Sequence, residues 1–218
     1  MIDHMRTAWT TTIDRQHRLP QGLLGRLVGE KMVRQHQPET NWTVELLGLQ
    51  PHDRAVELGC GAGRGLVLAA RAAVPSLVAG MDLSPTMLRA AAHRLRRTGQ
   101  RERVRMLRGD LEALPYADGS LNKIWSVHTF YFWADPEAVF ADLLRVLAPD
   151  GRIVVTLATG TVSRAGEDQF WPLHQQVEAL VGELNSWPNV TTELRRGPSS
   201  RQFNNVAMVL RKDGLQRR

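Results

Sequence analysis

From residue 55 onward, short apolar runs bounded by glycine, proline or aspartate alternate with longer stretches whose apolar positions recur at helical spacing. The short runs predict strands at 55–58, 77–81, 104–107, 121–127 and 152–157. The longer stretches predict helices at 63–74, after Ser84 and after Asp135. Met87, Leu88, Ala91, Ala92 and Leu95 form the apolar face of the second helix; Val139, Phe140, Leu143, Leu144 and Leu147 form that of the third. Ser84-Pro85 is a start signal: a short polar side chain caps the first turn, and proline fits its first position. Asp135-Pro136 reads the same way. Strand and helix in alternation predict an α/β fold, a parallel sheet covered on both faces. The tail predicts an amphipathic helix at 170–184 and two strands, 190–194 and 203–210, closing as an antiparallel hairpin around a basic turn at 195–201. Residues before about Asn41 stand apart, with a helix at 23–33. This gives an N-terminal helical segment, 1–40, expected to lie over the pocket as a lid with Met32, His36 and Trp42 as wall residues, and a core domain, 41–218.

The first strand runs Ala-Val-Glu-Leu into Gly59-Cys60-Gly61-Ala62-Gly63, and the second ends in Asp82. Glycine at alternate positions after a buried strand allows positive φ and lets a ligand approach the backbone. A carboxylate at the end of the next strand is placed to accept hydrogen bonds from a ribose diol, so the pair reads as a nucleoside site. A dinucleotide fingerprint needs glycine at the first, third and sixth places. Counted from Gly59 the sixth place is Arg64, and from Gly61 it is Leu66, so neither frame fits. The plain alternative is a strand-to-helix turn, with Asp82 and Asp110 as turn caps.

A chain of 218 residues supports one domain with a substantial core. No apolar stretch reaches the ~18 residues a membrane span needs, and the first residues lack a secretory pattern, so a cytoplasmic protein is expected. One cysteine, Cys60, excludes an internal disulfide and any cysteine-based metal cluster. The net charge of +6 raises nucleic-acid binding. However, the densest run, Arg89 to Arg108, crosses a helix end and a strand start, so its members point in several directions and read as a solvated face.

The pattern Glu57-x-Gly59-x-Gly61-x-Gly63 resembles the first motif of the class I S-adenosylmethionine-dependent methyltransferases. From about Asn41 to Leu157 the chain is similar to the bacterial small-molecule members of that family. Gly109-Asp110-Leu111-Glu112-Ala113-Leu114-Pro115-Tyr116 resembles their acidic third motif. Arg145-Val146-Leu147-Ala148-Pro149-Asp150-Gly151 resembles the turn into strand five, with Asp150 in place of a glycine. Asn122-Lys123 departs from the Phe-Asp pair that often opens strand four, and the segment before Asn41 matches only loosely.

The resemblance implies a Rossmann-like doubly wound sheet of seven strands, mostly parallel with the last strand antiparallel, and S-adenosylmethionine as cofactor. It assigns Gly59 and Gly61 to the methionine portion and Glu57 to orienting that loop or to the amino group. Asp82 goes to the ribose hydroxyls, Leu83 to a place beside the adenine, Asp110 and Leu111 to the adenine edge, and Ser126 to the cofactor through its carbonyl. The acceptor site would follow strand four, where His128 is the candidate base and Tyr131 the candidate acceptor-binding group. An imidazole near pKa ~6.5 can take a proton from a hydroxyl or amine at neutral pH, although a loop histidine that only shapes the pocket fits equally. Methyl transfer needs no metal, and the sequence carries no metal-ligand motif of the His-Glu-x-x-His kind.

The expected reaction is transfer to O, N or C of a small-molecule acceptor. The alternatives are an RNA or other nucleic-acid methyltransferase, a nicotinamide-dependent oxidoreductase, and a non-catalytic binding protein. The sequence does not fix the acceptor or the oligomeric state.

Overall fold

The computed structural model describes residues 21–72, 77–163, 165–199 and 203–213. Two helices come first, α1 (Gly22–Gln35) and α2 (Gln37–Leu47). There follow β1 (Arg54–Leu58), α3 (Arg64–Ala72), β2 (Leu77–Asp82), α4 (Pro85–Arg97), β3 (Val104–Arg108) and β4 (Leu121–Val127). The chain closes with α5 (Pro136–Val146), β5 (Leu147–Val162), β6 (Asp168–Phe170), α6 (Pro172–Leu184), β7 (Val190–Arg196) and β8 (Phe203–Lys212).

Both expected caps form. Ser84 Oγ accepts from the Met87 amide at 3.3 Å, and Asp135 Oδ1 from the Ala138 amide at 3.0 Å. The strands lie in the order β3-β2-β1-β4-β5-β8-β7. Strands β1 to β5 pair in parallel, and β8 inserts antiparallel between β5 and β7. That path is the expected seven-stranded sheet, and β6 adds a short eighth strand on the outer end of β5. The pleat sends successive side chains to opposite faces. Thus Val56 and Leu58 join Ile124, Ile153, Val155 and Leu157 under α5 and α6, while Ala55, Trp125 and Val154 pack beneath α2, α3 and α4.

Order reverses between β1 and β4, whose following connections leave on opposite faces. A crevice therefore opens at the carboxyl ends of these two strands, the usual place for a ligand in an open α/β sheet.

Three features differ from the sequence reading, and a fourth, Asp150, keeps to it. Helix α2 crosses the 40/41 division: Leu47 is fully buried in the core, and Thr43 Oγ1 bonds Thr156 Oγ1 of β5 at 2.6 Å. Strand β5 runs well past residue 157 because β6 and β8 pair with its outer half. Phe170 belongs to β6, and the helix after it starts at Pro172. Asp150 stands at φ +61, so the residue that replaces glycine keeps a glycine-type backbone. The ends of the 63–74 helix and of the 195–201 turn lie outside the described residues, as does the first half of segment 1–40. Among the described residues no helix is long and apolar enough to cross a membrane.

Candidate active site

The crevice deepens into a cavity of about 860 Å³, within the range of small-molecule sites. Its floor comes from the ends of the first three strands and includes Glu57, Gly59, Gly61, Asp82, Leu83, Asp110 and Leu111. Val127, His128, Thr129, Tyr131 and Phe132 line the side after β4, and Met32, Val33, His36 and Thr40 close it from α1 and α2. Trp171, Leu173 and Phe203 complete the wall.

Asp82 organises the floor. Its Oδ2 accepts the Gly61 amide and its Oδ1 the Ser84 amide, each at 2.8 Å. Burial raises the pKa of this carboxyl, and those two amides pull against the rise. Gly59, at φ +65, has no room for a β-carbon, which would strike the Thr129 methyl group, whereas Gly61, at φ +51, faces open space. Cys60, between them, is a buried thiol whose pKa burial pushes up, so it packs rather than reacts.

Glu57 lies beneath the turn, almost wholly buried, against Gly65. Burial lifts its carboxyl from 4.5 to about 8, opposed in part by the Trp125 indole and the Leu66 amide. Its Oε2 has no hydrogen-bond partner, and neither has the buried Nε of Arg64, another cavity residue. A buried polar group without a partner costs free energy. The Arg64 guanidinium is partly engaged, Nη2 donating to Asn41 Oδ1 at 3.3 Å, so the open atoms are one carboxyl oxygen and one guanidinium nitrogen, of the types that meet the ammonium and carboxylate of an amino acid. Asp110 is exposed at the rim, where its Oδ1 accepts the Glu112 amide at 3.0 Å, the turn-capping geometry.

Not every expected residue reaches the cavity. Ser126 is fully buried one position behind the wall, its hydroxyl against Thr129, and Val127 lines the cavity instead. Trp42 packs over Gly197 and not on the cavity, while Met32 and His36 do line it.

His128 follows β4 at φ +57, an unusual conformation for a residue with a side chain. Neither of its ring nitrogens is free. Nδ1 stands 3.3 Å from Tyr131 Oη and Nε2 stands 3.1 Å from Glu39 Oε1. Burial lowers its pKa, with the Glu39 carboxylate opposing. Tyr131 Oη is itself clamped by the Ala158 backbone, accepting the amide at 2.6 Å and donating to the carbonyl at 3.1 Å. Glu39, fully buried in the first turn of α2, also meets His36 Nδ1 at 2.6 Å. The sequence reading missed Glu39; its signal was a lone carboxylate three residues after His36, one helical turn on.

Residues 56–155 match the family model described as a methyltransferase domain. Over 145 residues the chain is 33% identical to a malonyl-[acyl-carrier protein] O-methyltransferase of Laribacter hongkongensis, covering 59% of this chain and 49% of that protein. Over 102 residues it is 35% identical to a demethylmenaquinone methyltransferase of Thermus thermophilus, covering 47% and 46%. The chain thus spans about half the length of these relatives. Its fold is similar to that of a chain solved in complex with the Haloferax volcanii Trm112 methyltransferase activator, with TM-score 0.67 and 19% identity over 85% of this chain and 94% of that one. Residues 56–155 are thus a methyltransferase domain, set in a sheet with the strand order of the class I S-adenosylmethionine-dependent fold.

Proposed function

We propose that this protein transfers a methyl group from S-adenosylmethionine to O, N or C of a small-molecule acceptor by in-line displacement. The observation that carries the reading is the row of carboxyl groups at the ends of three adjacent strands: Glu57 and Asp82 at the glycine turn, Asp110 at the rim. Such a floor suits a ligand bearing a sulfonium and an ammonium, and repels a pyrophosphate.

When bound, S-adenosylmethionine supplies an electrophilic methyl whose leaving group departs as a neutral thioether. The chain's own contribution is binding, orientation and the exclusion of water. Glu57 and Arg64 hold the amino-acid end, Gly59 and Gly61 let it lie on the backbone, and Asp82 offers its remaining lone pairs to the ribose. Leu83 packs beside the adenine, with Asp110 and the Leu111 amide at its edge. Ser126 supports this arrangement from behind through its hold on Thr129. His128 and Tyr131 face the acceptor, and Met32, Phe132, Trp171 and Phe203 give that end apolar walls, suited to an apolar or planar molecule. Holding two reactants at attack distance lowers the barrier by up to ~7–11 kcal/mol in well-oriented systems. A cytoplasmic location goes with this reading, the single cysteine being a free thiol.

Calorimetry with S-adenosylmethionine, NAD and RNA tests the reading. One equivalent of S-adenosylmethionine should bind, and neither of the others. Binding of NAD or RNA without S-adenosylmethionine would overturn it, RNA pointing to the nucleic-acid alternative.

Glu57 adds a proton signature. At neutral pH its carboxyl is protonated in the free protein, since its pKa of about 8 lies above the solution pH. An ammonium beside it favours the ionised form. Binding near pH 7 should therefore release close to one proton, and affinity should rise with pH until about 8. Calorimetry in two buffers of different ionisation enthalpy reads this directly, and Glu57→Gln should abolish it. The same raised pKa makes this group's contribution to folding full below pH 4.5 and lost as pH rises through about 8.

A further inference from the structure

Three side chains at the acceptor end make a cluster that the transfer of a methyl group does not by itself require. His36, at the junction of α1 and α2, Glu39, in the first turn of α2, and His128, after β4, turn Nδ1, an Oε and Nε2 toward one another, all within 4.8 Å. Glu39 Oε1 lies 2.6 Å from the first nitrogen and 3.1 Å from the second, and the two imidazole rings stand 4.3 Å apart, centre to centre. The segments that bring them together are 89 positions apart in the chain.

We propose that His36, Glu39 and His128 form a binding site for one divalent transition-metal ion, Zn²⁺ by its ligand chemistry, with its open positions toward the acceptor end of the cavity. Two imidazole nitrogens and one carboxylate oxygen are a donor set that suits zinc and its neighbours. Magnesium and calcium prefer all-oxygen sets. Three protein ligands with a fourth place left open is the arrangement of zinc sites that engage a small molecule. His36 and His128 both line the cavity, whereas Glu39 is fully buried behind them, so the open side faces the cavity.

The surroundings of the cluster are those of a held ligand set. A metal-bound imidazole commonly donates its other N–H to a fixed acceptor. With Nε2 on the ion, His128 Nδ1–H points at Tyr131 Oη, 3.3 Å away, which the Ala158 backbone locks in place. Glu39 is anchored by its helix: its carbonyl accepts Thr43 Oγ1 at 2.7 Å, and Thr43 Oγ1 also bonds Thr156 Oγ1 of β5. Ligands about 2.0–2.1 Å from a tetrahedral zinc ion lie roughly 3.3 Å apart, so the three atoms need to shift by less than about an ångström. The ion would take the place of the two hydrogen bonds that now join the carboxylate to the rings, each neutral ring carrying its proton on the other nitrogen.

The inference rests on the proposed methyl transfer only for the molecule the ion meets. An oxygen or nitrogen of the acceptor would take the open position, where its acidity is raised and its proton passes to water. In that state His128 is a ligand, and it need not receive the acceptor's proton.

The test is metal content of the full chain, stripped with a chelator, loaded with Zn²⁺ and desalted. One zinc per chain by mass spectrometry is expected, and Co²⁺ in its place should give visible ligand-field absorption. His36→Ala and Glu39→Gln should each weaken zinc binding by about 100-fold or more while S-adenosylmethionine affinity stays within about threefold. His93→Ala, on the exposed face of α4, should leave stoichiometry unchanged. Wild-type protein that holds no zinc after loading, or a His36→Ala protein that holds as much, overturns the site. Should both cluster variants fail to fold, the cobalt spectrum of the wild type decides: no ligand-field bands, no site. A protein that binds S-adenosylmethionine but no metal loses this inference alone. One that binds metal but not S-adenosylmethionine loses the methyl-transfer reading instead.

Discussion

Replacing Asp82 with alanine is expected to weaken S-adenosylmethionine binding by about 100-fold, measured by calorimetry, in a protein that still folds. The carboxylate acts twice. It fixes the glycine turn by accepting the Gly61 and Ser84 amides, and in the proposed function its remaining lone pairs take the ribose hydroxyls. Hydrogen bonds to a charged group contribute about 1.5–3 kcal/mol each, and every 1.4 kcal/mol is about tenfold in affinity. Losing the ribose contacts and the turn's alignment together gives the stated figure. Folding survives because the hydrogen bonds of β1 and β2 run through the backbone. The conservative change Asp82→Asn should do little better: an amide in that place keeps one acceptor but sets its NH₂ against one of the two backbone donors. Affinity within about threefold of the wild type in Asp82→Ala would remove the ribose assignment.

Phe140→Ala should destabilise the fold by about 3–5 kcal/mol, the usual cost of emptying a large aromatic site in a core. Phe140 is wholly buried and meets the Trp133 ring edge-on at 5.4 Å. Trp133 in turn packs on Phe130 at 5.1 Å, and its indole N–H donates to Thr129 Oγ1 at 3.2 Å. The loop after β4 therefore stands on this aromatic stack, and the cavity residues His128, Thr129 and Tyr131 stand with it. Denaturant unfolding should show the loss as a lower midpoint with an unchanged slope. A loss below about 1 kcal/mol would mean the stack contributes little.

What the sequence made legible was local. The glycine turn and the Ser84 and Asp135 caps each depend on residues within a short stretch of chain and formed as expected, while Asp82 and Asp110 accept backbone amides, the turn-cap alternative. Helix α2 was hidden because its buried positions include Glu39, Thr40 and Thr43, which read as surface. Their burial depends on partners far along the chain: Thr156 for Thr43 and His128 for Glu39. Strand β6 was hidden for a related reason. It is short and exposed, and it exists only because the outer half of β5 offers it an edge. The cavity floor could be read from motifs; its roof, from α1, α2, Trp171 and Phe203, is a product of tertiary contact.

Arg145 shows how a recognised motif can carry more than its turn. Its guanidinium donates to Asp142 and Asp118, each at 2.7 Å, and to the Tyr116 carbonyl at 2.9 Å. The loop between β3 and β4 is thereby tied to α5.

The cavity draws on two parts of the chain. The floor that would take the adenosyl moiety lies wholly inside the matched block of 56–155, whereas His36, Glu39, Trp171 and Phe203 come from outside it. On the proposed reading, substitutions in these flanking segments should alter the acceptor end while the donor's seat stays intact, with His128, Tyr131 and Phe132 held in common.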